Sequence, residues 1–327
     1  ASGPYAYRIF HPSSRLRFLL VPGGEYTIGD DSIDDSASVT VTVSSYYIAE
    51  EELTYAQVAV LARALVEDEA KAVLQSFDKT LTEAVDEKTF STLVNSRNAA
   101  FNRRHSLGAK VSGQYAVACI LSAAIDDSIE LRSQLLNVKS TVWNKIDDMH
   151  PASTHALSDA DEKNVSLANE AFMKALAAVE QRGSRPFDRA FFATADKLAA
   201  QAGCKLSTEA QWEVAAQLVK KRDLELRGMF DDVFEWCSDH YDAGCFKRSR
   251  DLDDPSGPSS AELNVAQLRR ESPSFLFGRQ MVKRLHVLRG KDVSGRRYGL
   301  EEGGGVGLFT EFVDDFTTAK GIRLVLN

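Results

Sequence analysis

The stretch KLSTEAQWEVAAQ, residues 205–217, decides how the chain is interpreted, because it encodes one helix with a well-defined start. Thr208 suits the N-cap position, and Gln211 follows three residues later, as in a capping box. Trp212, Ala215 and Ala216 then recur at helical spacing and give the helix one apolar face. The pattern predicts a helix that packs on a core, and by itself it predicts no chemistry.

The composition is typical of a globular protein that does not bind nucleic acid. The chain has 327 residues, of which 44% are hydrophobic, and its net charge is −8. Binding to nucleic-acid phosphates needs a concentrated positive field, so we expect no nucleic-acid partner. No apolar run approaches the roughly 20 residues that a bilayer span requires, so we expect no transmembrane segment in this chain.

The four cysteines predict no disulfide framework in a chain of this length. Cys119 lies inside an apolar run and Cys204 follows a predicted helix, and we expect both to be packed thiols. Cys237 and Cys245 are candidates for pairing or for holding a soft metal, but their spacing matches no zinc pattern. His240 is the only imidazole close to them in sequence. We therefore assign no metal site.

Three zones follow one another along the chain. Residues 18–54 alternate apolar and polar side chains around a Pro-Gly-Gly turn, which predicts strands and a hairpin. Residues 55–220 show helical spacing, and the sequence after about 228 is irregular with short apolar runs. FLLVPGG near the start and GIRLVLN at the end suit one sheet closed by both chain ends. The prediction is an α+β architecture.

Six stretches, in this order, resemble the formylglycine-generating enzyme (sulfatase-modifying factor) domain family. They are VPGGEYTIG, YYIAEEELTYAQ, KLSTEAQWEVAAQ, DDVFEWCSDHY, HVLRG and GIRLVLN. The resemblance covers roughly residues 16–60, 186–245 and 285–327. It implies a single domain over residues 1–327 with a C-type-lectin-like fold: a small mixed sheet, flanking helices and long loops. Residues from about 66 to 185 would form a helical insertion within that domain.

The resemblance also implies structural roles for several side chains. It places three aromatic residues in the core: Trp212, Trp236 and Phe234. It implies buried or half-buried carboxylates, which we expect to bind loop backbone amides: Glu209, Glu213 and Glu235. Arg289 and Arg323 lie beside strand-like runs and are expected to pair with such carboxylates bidentately. None of these residues is predicted to be catalytic.

Departures from the family pattern bear on function. Active members that resemble this domain bind Cu(I) through two cysteines near the carboxy terminus, because soft thiolates select that ion. No cysteine follows Cys245 here, so the copper site carries over at no position. A second branch uses iron held by clustered histidines, and the six histidines of this chain form no such cluster: His11, His105, His150, His155, His240 and His286. We expect no catalytic residue and no cofactor.

Calcium is a candidate ligand, because acidic residues in irregular loops supply the oxygen donors that suit this ion. The candidate clusters are Asp231 with Asp232, Asp239 with Asp242, and Asp251 with Asp253 and Asp254. The alternative is that these are solvated loop acids.

The segment 291–318 keeps its family-like flanks, VLRG and GIRLVLN, but loses the interior pattern. Proteins with this fold also include the variable, ligand-binding products of diversity-generating retroelements, whose carboxy-terminal loops carry hypervariable side chains. Such a role would give this segment the ligand-binding residues Asp292, Val293, Ser294, Arg296, Arg297, Tyr298, Leu308, Phe309 and Phe312. The alternative is that Phe309 and Phe312 pack into the core.

The sequence therefore favours a non-enzymatic binding protein with a protein ligand, displayed outside the cell or at its surface, with a lipid anchor as one route. One alternative is a thiol- or copper-dependent oxidoreductase that uses Cys237 and Cys245. Another is an assembly component whose helical insertion forms the interaction surface. The oligomeric state stays open.

Overall fold

The computed structural model describes residues 7–28, 39–84, 113–114, 159–190, 192–230, 233–240, 252–257, 286–290, 307–309 and 320–327. These ranges contain four helices and eleven strands. The helices are α1 (Tyr55–Ala84), α2 (Asp159–Gln181), α3 (Phe192–Gln201) and α4 (Glu209–Lys221). The strands are β1 (Arg8–His11), β2 (Leu16–Val21), β3 (Gly24–Ile28), β4 (Val39–Val43), β5 (Tyr46–Ala49), β6 (Lys205–Leu206), β7 (Phe234–His240), β8 (His286–Gly290), β9 (Gly307–Phe309), β10 (Lys320–Gly321) and β11 (Leu324–Leu326).

The chain divides into two compact units. The first comprises residues 1–57 and 185–327, and the second comprises residues 58–184. The described part of the second unit is helical, and it includes an ion pair between Arg63 and Glu180 with the Nη2 to Oε1 distance at 2.7 Å. That the whole chain is one domain interrupted by an insertion at 66–185 stays a prediction.

Both chain ends enter one sheet of the first unit, as expected. Its five strands follow the order β1-β2-β5-β11-β6, and all of its pairings are antiparallel. β11 joins the sheet between β5 and β6, and Val325 pairs with Ile48. The carboxy terminus is therefore held inside the sheet that the amino-terminal strands begin, and the α+β class is confirmed.

A second sheet has four strands in the order β10-β7-β8-β9. β7 pairs antiparallel with β8 and parallel with β10, so this sheet is mixed. β10 and β11 are separated by only two residues, Ile322 and Arg323, both buried. The carboxy-terminal residues 320–327 therefore contribute a strand to each of the two sheets.

The Pro-Gly-Gly turn does not form the hairpin that the sequence predicted. It joins β2 to β3, and these strands lie in different sheets, because β3 pairs with β4 in a separate two-stranded sheet. At Gly23 a Cβ atom would approach the Ser45 backbone nitrogen to 2.7 Å. Glycine is needed there because two backbone segments approach each other too closely to admit a side chain.

Helix α4 begins as the sequence predicted. The Thr208 hydroxyl accepts a hydrogen bond from the Gln211 backbone N–H at 3.1 Å, and the Thr208 N–H donates to the Gln211 side chain at 3.0 Å. The buried face of the helix includes Trp212 and Ala215, and both belong to a core cluster that also contains residues of β2, β5, β7, β8 and β11. The helix thus packs on the core shared by the two larger sheets. No helix in the described ranges is both long and apolar enough to cross a membrane.

Gly290, the last residue of β8, is a position where an added methyl group should be costly. Its φ is +108°, and a Cβ would lie 2.8 Å from the Val233 carbonyl oxygen. We expect Gly290→Ala to lower the free energy of unfolding by roughly 1–3 kcal/mol from backbone strain, with the steric clash adding to that loss. The measurement is urea unfolding followed by circular dichroism.

Gly203→Ala is the matched control for this substitution. Gly203 has a φ of +71°, but an added Cβ would meet no atom within 4 Å. The control should lose only the cost of the left-handed conformation, about 1–2 kcal/mol. Equal losses in the two variants would contradict the packing assigned to Gly290.

Candidate functional site

Arg323 lies at the centre of a buried ion-pair cluster in the first unit. Its side chain is fully buried, its Nε is 2.8 Å from Glu235 Oε1, and its Nη2 is 3.2 Å from Glu52 Oε1. The same guanidinium donates hydrogen bonds to the carbonyl oxygens of Ala49 at 2.9 Å and Arg227 at 2.6 Å. One side chain thereby joins the end of β5, the start of β7 and the loop after α4.

The carboxylate of Glu235 has a second partner. Trp212 Nε1 donates to Glu235 Oε2 at 2.7 Å, so the helix α4 is tied to the same cluster. Burial raises the pKa of Glu235 to about 8; Arg323 acts to lower it, and Glu52 raises it further. Glu235 and Glu52 are both buried and share the single guanidinium of Arg323. A proton retained on one of the two carboxylates avoids a buried negative charge that no cation balances.

Arg289 forms a second cluster beside helix α4. Its Nη2 contacts Glu209 Oε1 and lies 2.8 Å from Glu213 Oε1. Because the two glutamates are four residues apart on α4, they present both carboxylates on one helix face. The guanidinium is nearly buried, and it fixes β8 against the first turn of the helix.

The predicted arginine–carboxylate pairs are confirmed. Each guanidinium contacts two different carboxylates: Arg289 contacts Glu209 and Glu213, and Arg323 contacts Glu235 and Glu52. The core positions of Trp212, Trp236 and Phe234 are also confirmed, since all three are at most 5% exposed.

The expectation that Glu209, Glu213 and Glu235 bind loop amides is wrong, because their described partners are side chains. Asp239 takes that role: its Oδ2 accepts from the Glu209 backbone N–H at 2.7 Å, and its Oδ1 accepts from the Gly257 N–H. Burial, followed by the charge of Glu209, raises the pKa of Asp239 to about 7. The sequence predicted a buried carboxylate that binds irregular backbone, but it did not predict that Asp239 supplies it.

The candidate calcium clusters are described only in part. The two oxygens of Asp239 accept backbone N–H groups. Asp254 Oδ1 accepts from the Ser44 N–H and its Oδ2 accepts from the Ser44 hydroxyl, both at 2.6 Å. Asp253 is also described, and it forms an isolated parallel bridge with Thr42. The other four candidates, Asp231, Asp232, Asp242 and Asp251, lie outside the described residues. Among the described residues, no group of three or more His, Cys, Asp or Glu side chains is placed to hold a metal ion.

Two thiols are described, and both are free and buried: Cys204 and Cys237. Burial raises the pKa of Cys204 to about 11. Burial also raises the pKa of Cys237 well above its usual value, and the negative charges of Asp239 and Glu209 add to this shift. Both sulfurs are therefore thiols near neutral pH. Cys119 and Cys245 lie outside the described residues.

Two of the predicted ligand-binding residues fall within the described chain. Leu308 and Phe309 lie on β9, where they pair with Val287 and His286 of β8. The other seven, Asp292, Val293, Ser294, Arg296, Arg297, Tyr298 and Phe312, lie outside the described residues. The structure describes the two strands that flank the segment: β8, which ends at Gly290, and β10, which begins at Lys320.

A comparison with known families matches most of the chain. Residues 12–223 match the model of the sulfatase-modifying factor enzyme 1-like domain, and this range covers more than half of the chain. The chain belongs to this family. None of the curated proteins compared matches the chain. The matched range contains α4 with its capping box, whereas Arg289 and Arg323 lie beyond it.

Sequence reasoning missed two features of the site. Glu52, which shares the guanidinium of Arg323, lies in the acidic run 50–52 and shows no sequence signal that separates it from its neighbours. His286 was counted as an isolated histidine, but the pairing of β7 with β8 places it opposite His240. Only strand register could have revealed that pair.

The proton held by the Arg323 cluster predicts an unusual dependence of stability on pH. Because the native pKa of Glu235 is raised to about 8, its contribution to stability is complete below the unfolded pKa, near 4.3, and is lost as the pH rises through 8. We expect Glu235→Gln to gain more than about 1 kcal/mol relative to the native chain between about pH 5 and pH 8.5. The measurement is urea unfolding at each pH.

Glu225→Gln is the control, because that side chain is exposed. It should follow the native chain across the whole range. A Glu235→Gln variant whose stability changes with pH in parallel with the native chain would contradict the assignment of a retained proton to Glu235.

Proposed function

We propose that this chain is a non-enzymatic binding protein that presents the segment 291–318 on a C-type-lectin-like frame. Its ligand is a protein, and the segment is the variable product of a diversity-generating retroelement. In this proposal the residues that contact the ligand lie in the sequence between Arg289 and Arg323, and they include Arg296, Arg297, Tyr298 and Phe309.

The observation that carries the proposal is the way the segment is bounded. Arg289, directly before Gly290, is fixed by two glutamates of α4, and Arg323, shortly after β10, is fixed by Glu235 and Glu52. These contacts lie outside 291–318, so substitutions inside the segment leave them intact. Among the described residues of the segment, β9 (Gly307–Phe309) joins the frame by backbone pairing with β8. The ion pairs themselves are independent of the side chains within the segment, so they tolerate sequence change there.

The chemistry of the thiols supports a binding role over the copper-dependent alternative. Cu(I) is bound by thiolates, and Cys237 is fully buried with a raised pKa and a Ser207 hydroxyl directed at its sulfur, 3.9 Å away. A neutral, enclosed thiol is a poor ligand for an incoming ion, since binding must first displace its proton. This disfavours Cys237 as half of a redox pair with Cys245.

A displayed binding protein would act outside the cell or at its surface, with a lipid anchor as one means of attachment. A protein ligand fits the mixture of aromatic residues, arginines and an aspartate in the segment, since aromatic and arginine side chains contribute most binding energy at protein interfaces. Calcium would act, if bound, as a structural ion of the acidic loops.

The proposal predicts a specific pattern of natural variation. Sequencing the 3′ end of the gene across many cells of its source population should show amino-acid changes concentrated in codons 291–318. The codons for VLRG (287–290) and GIRLVLN (321–327) should stay constant, because their side chains hold the frame.

Codons 205–217, which encode α4, serve as the internal control for ordinary drift. Variation in 291–318 no greater than in this control would overturn the proposal of a diversified binding segment.

A further inference from the structure

Two histidines meet across β7 and β8 at the point where the pairing of these strands ends. His240 and His286 are register partners, beyond an irregularity in the pairing that follows Trp236. Their ring centroids are 4.3 Å apart and their planes are inclined by 30°. Cross-strand partners have their side chains on the same face of the sheet, so the two imidazoles share one small region of surface.

The ring of His286 is held in place by an aromatic neighbour. It stacks on Phe192 of helix α3 with the centroids 3.3 Å apart and an interplanar angle of 9°. Phe192 in turn contacts Trp236 edge to face at 5.8 Å. A ligand held by packing on a rigid element is already positioned, so little conformational freedom is lost when it binds.

The buried nitrogen of His286 lacks a partner. The residue is only 8% exposed, and its Nδ1 has no hydrogen-bond partner in the described structure. Burial, with a contribution from His240, lowers the pKa of His286 to about 4.

We propose that His240 and His286 form a two-imidazole binding site for a divalent transition-metal ion such as Ni²⁺, Cu²⁺ or Zn²⁺. Imidazole nitrogen suits these ions better than it suits calcium or magnesium. Each histidine donates one ring nitrogen, and His286 does so through Nδ1. The described chain adds no third ligand, so water fills the remaining positions and the metal is exchangeable.

This site adjoins the proposed binding segment at Phe309 of β9, which is the register partner of His286. Metal binding uses the side chains of His240 and His286 and requires no residue of the segment. Failure of one proposal would therefore leave the other standing.

Isothermal titration of the full chain with Ni²⁺ tests the proposal, after treatment with a chelator and transfer to chelator-free buffer near pH 7.5. The native chain should bind one equivalent. His240→Ala should weaken that binding by about tenfold or more, because the loss of an outer-shell partner alone has an effect of that size on metal affinity. Its half-exposed position makes this substitution compatible with folding.

His11→Ala is the matched control, since His11 ends β1 in the five-stranded sheet and its ring is hydrogen-bonded to the Ser14 hydroxyl. It should bind Ni²⁺ as tightly as the native chain does. His286→Gln should weaken binding as His240→Ala does; if circular dichroism shows that this buried substitution unfolds the chain, His240→Ala decides alone. No binding by the native chain, or unchanged binding by His240→Ala, would overturn the proposal.

Discussion

The buried guanidinium of Arg323 is the interaction on which the rest of the first unit depends. Its charge lies fully inside the protein, where it is tolerated only because Glu235, Glu52 and two carbonyl oxygens surround it. Arg323 stands between β10 and β11, which belong to different sheets. The ion-pair cluster therefore fixes the point at which the carboxy-terminal strand passes from one sheet to the other, and Trp212 links α4 to it through Glu235.

Arg289 repeats this arrangement at the other boundary of the segment 291–318. Both arginines take two carboxylates each, and three of the four acids are supplied by α4 and β7. These ion pairs thus lie outside the proposed binding segment, whereas β9 (Gly307–Phe309) within the segment joins the second sheet by backbone pairing with β8. A protein built in this way separates the residues that determine stability from those available to change with a ligand, a division that scaffolds with functional loops commonly show.

Local signals in the sequence predicted local structure well, and contacts between distant strands poorly. The capping box at Thr208 and Gln211 and the apolar face of α4 depend on residues within one turn, so they could be predicted directly. The arginine–carboxylate pairs were expected from the family resemblance. Glu52 and the amide-binding role of Asp239 depend on contacts between residues far apart in the sequence, and the His240–His286 pair depends on strand register. None of these is encoded in a local pattern. The Pro-Gly-Gly turn was misassigned for the same reason, because a turn sequence does not specify which sheet receives the next strand.

The independence of the frame from the segment it carries can be measured directly. The chain would be made with residues 291–306 replaced by a scrambled sequence of the same composition, which leaves Arg289, Arg323 and β9 unchanged, and its free energy of unfolding in urea would be compared with that of the native chain. A difference within about 1 kcal/mol is expected, since surface substitutions away from packed or paired groups have small effects. A loss of more than about 3 kcal/mol, or a chain that fails to fold, would show that the segment is part of the frame and contradict its role as a replaceable binding surface.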